Sequence, residues 1–134
     1  MQHLRDFETR WIPVERDVIA PDGSDVRNLL GLQGGGMAHF ELPAGKISNA
    51  EFHKTVDEIW FFLSGQGQMW RKTADREEVV AVGPGVCLTI PVGTHFQWRS
   101  IGDEPLAAIG VTMPPWPGEH ESQIVAGKWT PTVL

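Results

Sequence analysis

An all-β fold, a sandwich or a barrel, is what this sequence predicts, and two observations carry the prediction. Fifteen glycines and ten prolines are spread through 134 residues, and they fall between short apolar runs. Gly and Pro break long elements but supply the tight turns that many short strands need. The apolar runs are brief, rich in β-branched and aromatic side chains and almost evenly spaced, which is the pattern of a sandwich or barrel. No internal repeat or low-complexity tract stands out.

Taken in order, the region up to Gly23 mixes charges with Phe7, Trp11 and Ile12 and is expected to hold a short helix or strand. Pro21-Asp22-Gly23 is a turn signal. Strands then follow near 26–33, 37–42, 50–54, 58–63, 67–72, 77–82, 86–90, 95–100 and 106–113. The run Gly34-Gly35-Gly36 reads as a turn, and 73–76, with its charged and small residues, reads as a loop. Past Met113 the segment PPWPGEH is expected to hold no regular structure, because three prolines remove donors and fix φ. The tail, 114–134, should run extended over the surface, anchored by Trp116 and Trp129. This makes one domain over 1–134, with a barrel core of about 25–113.

Composition narrows the function. The length suits a single core, and 41% hydrophobic with 21% charged residues is ordinary for a soluble protein. The longest apolar run, Ile59 to Leu63, is far short of a membrane span. Charged residues interrupt positions 1–20, so no signal peptide is expected. The single Cys87, flanked by Val86, Leu88 and Ile90, reads as a buried strand residue; with no disulfide framework, a cytoplasmic location is expected. A net charge of −6 gives no reason to expect nucleic acid or an anionic membrane as partner. There are six tryptophans and no tyrosine, so no phenol can serve as acid or base.

The stretch GKISNAEFHKTVDEIWFFLSG, Gly45 to Gly65, concentrates the chemistry. Side chains at i and i+2 of a strand share a face, so Glu51 and His53 point the same way. Glu58 is placed to meet them from the next strand across a short turn. A second ordered segment, GVCLTIPVGTHFQW, is built around Gly85, Pro91, Gly93 and His95. On these residues the chain resembles the cupin superfamily. That family's first motif, G-x5-H-x-H-x4-E-x6-G, is met at Gly45, His53, Glu58 and Gly65, with Glu51 in place of the first histidine. Its second, G-x5-P-x-G-x2-H, is met at Gly85, Pro91 and Gly93; Phe96 holds the histidine position, and His95 comes one place early. The resemblance implies a double-stranded β-helix, or jelly-roll barrel, with its site inside.

Three functions follow as expectations. The first is a divalent metal site for iron, manganese, nickel or zinc, held by Glu51, His53, Glu58 and His95. In similar proteins such sites support dioxygenation, isomerisation or decarboxylation. His95 reaches the interior only if a bulge after Gly93 shifts the register by one. A site without any cofactor is an equal expectation. In that case His53 acts as general base, with Glu58 as its catalytic partner, in an isomerase- or epimerase-like reaction. The third is a binding module whose aromatic cavity of Trp60, Phe62, Phe96 and Trp98 holds a small molecule oriented by Glu51 and His53. Two inward carboxylates with no cation between them would repel each other and hold a proton. His39 reads as structural, and His3 and His120 carry no spacing signal. With Glu58, Trp60 and Phe62 inward, Ile59, Phe61 and Leu63 make an apolar outer face, to be covered by the N-terminal segment or a partner subunit; a homodimer is expected.

Overall fold

A computed structural model describes residues 6–133, and among these eleven strands form two antiparallel sheets. The strands are β1 (Val18–Ile19), β2 (Asp25–Leu32), β3 (Gly35–Leu42), β4 (Ala50–His53), β5 (Asp57–Ser64), β6 (Gly67–Lys72), β7 (Glu77–Val82), β8 (Cys87–Ile90), β9 (His95–Ser100), β10 (Leu106–Met113) and β11 (Ser122–Val125). One sheet runs β1-β2-β3-β10-β5-β8, and the other runs β11-β4-β9-β6-β7. Consecutive strands often lie in different sheets, as a jelly roll requires.

Period-2 alternation sorts the faces. On β5, Glu58, Trp60 and Phe62 are buried, whereas Ile59, Phe61 and Leu63 are 41%, 47% and 39% exposed. Trp60 is the hub of the interior: its ring lies 4.8 Å from Phe40 and 4.9 Å from Trp98, the second nearly perpendicular at 81°. The contact with Trp98 joins the two sheets, because Trp60 is on β5 and Trp98 on β9. Edge-to-face geometry suits the aromatic quadrupole. The turn after β5 needs Gly65, which has φ 83°; a Cβ there would also overlap the carbonyl oxygen of Pro105.

Four expectations change. The tail does not merely lie extended: a 3-10 turn at Glu119–Glu121 leads into β11, which pairs with β4 along its whole length. Edge addition of this kind depends on a distant partner strand and leaves little local signature. Cys87 is exposed, because it shares the outer face of the sheet with its cross-strand neighbour Phe61, while Leu88 and Ile90 point inward. The glycine turn is narrower than the triplet, since Gly35 and Gly36 already belong to β3. Finally, the described part of the N-terminal segment, from residue 6, holds β1 but leaves the apolar face of β5 bare. It runs along β2 instead, where Arg10 donates to the carbonyl of Asn28 (2.6 Å) and Arg27 donates to that of Pro13 (2.8 Å).

Candidate functional site

Glu51 and His53 project inward from β4, and Phe96 on β9 is the cross-strand neighbour of Glu51. On the other side β11 places Ser122 opposite His53 and Ile124 opposite Glu51. After His53 the chain crosses to the facing sheet, and the first inward residue of β5 is Glu58. Glu58 therefore meets His53 from the next strand in the chain, as expected, but from the facing sheet across the interior. Glu121 fixes the crossing, accepting hydrogen bonds from the N–H and hydroxyl of Thr55 and from the N–H of Val56 (2.9 Å). The turn of the second motif is tied in by Gly93, whose N–H donates to the carbonyl of His53 (2.9 Å).

The imidazole lies between two buried carboxyl groups. Its Nε2 is 3.0 Å from Glu51 Oε1 in a hydrogen bond, and its Nδ1 is 3.1 Å from Glu58 Oε2. The second contact is close but misaligned: His53 Nδ1 and Glu51 Oε2 are buried and make no completed hydrogen bond. Glu58 is held from behind by Trp60, whose indole N–H donates to Oε1 (2.6 Å). The rings of Phe96 and Trp116 meet the imidazole edge-on, at 5.2 and 5.0 Å. Asp22 adds a third buried acid, accepting from the Ser24 N–H and hydroxyl and from the Trp98 indole (3.0 Å).

Burial governs the protons here. It pushes Glu51 up to about 7 against the opposing hydrogen bond from His53, and the charge of Asp22 adds to the rise. Burial also raises Glu58, although His53 and the Trp60 indole partly offset it. For His53 burial acts downward, but the Glu51 hydrogen bond and the charges of Glu58 and Glu51 outweigh it, so its pKa is raised. All three groups hold protons more tightly than they would in water. The cause is burial and not the mutual repulsion of Glu51 and Glu58 that the sequence suggested.

These groups open on a cavity of about 1110 Å³ that Phe40, Trp60, Phe96, Thr112 and Trp116 also line, with exposed Ile19 and His120 at its rim. Two of the expected lining residues are elsewhere. Phe62 and Trp98 are fully buried in the core beyond Trp60 and do not reach the cavity. Sequence reasoning missed Asp22, Ser122 and the cavity role of Trp116, which come from segments flanking the motifs. The prolines on either side of Trp116 were the one available signal. His39 is buried on the other side of β3, near Arg27 and off the cavity, and His3 lies outside the described residues.

His95 does not join the site. It lies on the outer face of its sheet, stacked on Phe52 at 5.2 Å. Gly93 uses its positive φ in the turn that Thr94 closes by donating to Pro91 O (3.0 Å), and β9 then pairs with β6 from His95 to Ser100 without a register shift. No bulge forms, so Phe96 points inward. The donors that do face in fail to converge. The two nitrogens of an imidazole diverge, and each is directed at a different carboxyl, so Glu51, His53 and Glu58 cannot share one ion in this arrangement. Among the described residues, no three His, Cys, Asp or Glu side chains are grouped to hold a metal. The residues present do not fit the expected metal site.

Known proteins agree with the fold. An uncharacterized protein of Methanocaldococcus jannaschii, MJ1618, is 32% identical over 120 residues, covering 82% of this chain and 90% of that one. A Klebsiella pneumoniae protein with a double-stranded β-helix domain superposes with a TM-score of 0.68 at 15% identity, over 90% of this chain and 100% of that one. A single-residue variant of Streptomyces PAC13, solved with uridine, gives 0.67 at 16% identity, over 89% and 92% of the two chains. The cupin domain profile matches residues 38–112, more than half of the sequence and both motif segments, and the chain belongs to the cupin domain family.

Proposed function

We propose that this protein binds a small organic molecule inside its barrel without a transition metal, and that His53 exchanges a proton with that molecule. The observation that carries the reading is the buried Glu51–His53–Glu58 row lining the cavity, with His53 Nδ1 enclosed beside Glu58 and without a completed hydrogen bond. In this reading Nε2–H donates to Glu51, which fixes the tautomer and leaves the buried Nδ1 to accept the proton by way of Glu58. The imidazolium so formed lies between two carboxyls that stabilise it, and Glu58 Oε2 is close enough to Nδ1 to relay the proton. Trp60 keeps Glu58 in place through the indole hydrogen bond. The aromatic walls exclude water and supply contact area.

The test has two parts. Metal content is measured by mass spectrometry on protein purified without chelator, and again after incubation with iron, manganese, nickel or zinc. We expect well below one equivalent in each case; a full equivalent lost in His53→Ala overturns the metal-free reading. Incubation with a small-molecule extract in heavy water should place deuterium in one compound, unaffected by EDTA and lost in His53→Gln. A compound that co-purifies but never exchanges would leave a binding module without chemistry.

The homodimer belongs to the same proposal and is supported by the bare apolar face of Ile59, Phe61 and Leu63. So does a cytoplasmic location, supported by the exposed free thiol of Cys87. Among the described residues no helix is long and apolar enough to cross a membrane.

A further inference from the structure

We infer that the molecule bound in this cavity carries a positively charged nitrogen, an organic ammonium group seated against Glu51. This rests on the small-molecule reading above and adds the charge of the ligand to it. Three independent features of the cavity agree.

The first is charge. Among the described residues, Asp22, Glu51, Glu58 and Glu119 line the cavity and no lysine or arginine does. Burial keeps protons on Glu51 and Glu58, and a cation beside them is met by their release, whereas a carboxylate or phosphate would enter a water-poor, acid-lined pocket with no guanidinium or ammonium to receive it.

The second is an incompletely satisfied acceptor. Glu51 is only 3% exposed; one of its oxygens holds His53, and the other, Oε2, has only the Ser122 hydroxyl beside it and no completed hydrogen bond. The hydroxyl of Ser122, one strand away on β11, is likewise buried without a completed hydrogen bond. A buried carboxylate oxygen without a donor is costly. A ligand N–H, or the charged face of a quaternary ammonium, supplies what the fold itself leaves out. Asp22 does not compete for this role, because both its oxygens already accept from Ser24 and Trp98.

The third is the wall. Phe96 and Trp116 both pack on the His53 ring, and Trp60 and Phe40 continue the aromatic surface. Aromatic faces attract a cation through their quadrupole, most strongly when water is excluded, and tryptophan does so best. A neutral ligand would gain only contact area from the same surface, and an anion would be repelled by it.

The experiment compares three probes of one shape: choline, its neutral isostere 3,3-dimethylbutan-1-ol and the anion 3,3-dimethylbutyrate. Binding to the full chain is read from the indole N–H resonances, with that of Trp116 assigned through Trp116→Phe. Choline should shift the Trp116 resonance and bind about tenfold or more tightly than the neutral isostere, with the anion weakest. Glu51→Gln should remove most of that preference by weakening choline far more than the neutral probe. Should Glu51→Gln fold poorly, Trp116→Leu, at an exposed position, is expected to weaken choline more than the neutral probe. Equal or tighter binding of the neutral or anionic probe at Trp116 overturns the ammonium assignment and leaves the small-molecule reading intact. If none of the three moves a cavity resonance at tens of millimolar, both fall.

Discussion

Glu51 is buried with one oxygen on His53 and the other without a completed hydrogen bond beside Ser122, a position that sets the sign of the protein's response to pH. Burial raises its pKa from 4.5 to about 7, so between those values the folded chain keeps a proton that the unfolded chain gives up. Stability must then fall as pH rises through that window, by about 3 kcal/mol for a group shifted this far. His53 acts in the same direction: with a raised pKa, its contribution is complete below the unfolded value and is lost as pH rises through the folded one. The raised Glu58 adds to the trend. Melting temperature should therefore drop from mildly acidic pH toward pH 8, and Glu51→Gln should flatten the slope. A melting temperature that climbs over the same range would refute this assignment of protons. Glu51, His53 and Glu58 were legible in the sequence because a strand's period places i and i+2 on one face. The face of His95 was not legible, since it depends on whether the turn at Gly93 ends before β9 begins, and that is decided by pairing with β6.

At the scale of elements, the site is held by strands that the motifs do not contain. β11 closes one side of β4, and Glu121 just before it binds the crossing between β4 and β5. Glu121→Ala would leave the N–H groups of exposed Thr55 and buried Val56 without their acceptor, a loss of about 2 kcal/mol carried mostly by Val56. Hydrogen exchange should then speed up across Ser122–Val125 before it does so in β5 or β10. Unchanged protection of β11 would mean that pairing alone holds the tail. Of the strands after Gly23 and before the tail, each was legible to within a residue or two, because Gly and Pro mark their ends and alternation marks their faces. β11 was not: it is four residues long, follows three prolines, and takes its identity from β4, some seventy positions earlier.

For the molecule as a whole, the feature left to explain is apolar surface. Ile59, Phe61 and Leu63 are exposed together on the outer sheet, while Phe7 and Trp11 are 95% and 92% exposed along the N-terminal segment. Scattered exposed side chains are normal, but a row of three on one strand is the kind of surface that the proposed dimer would cover. A second copy of the chain, sheet face against sheet face, is the occupant proposed above. Light scattering after gel filtration should give a dimer for the native chain and a monomer for Phe61→Asp, with the melting curve of that variant still cooperative. A native monomer at high micromolar concentration would end the proposal. The fold family was legible from turn glycines and motif spacing, yet the chemistry was only half legible. The walls that turn a motif into a cavity come from both ends of the chain.

This division has a consequence for how the protein comes into being. A ribosome releases the chain from its amino end, so both motifs and the central strand β10 exist before Trp116, Glu121 and Ser122 have been made. A product halted or clipped after Met113 would retain the family's signature residues and most of its barrel. It would nevertheless lack the indole over His53 and the strand beside Glu51. Such a fragment would pass for the protein in any search for the motif and would have only an open trough where the finished molecule has a pocket.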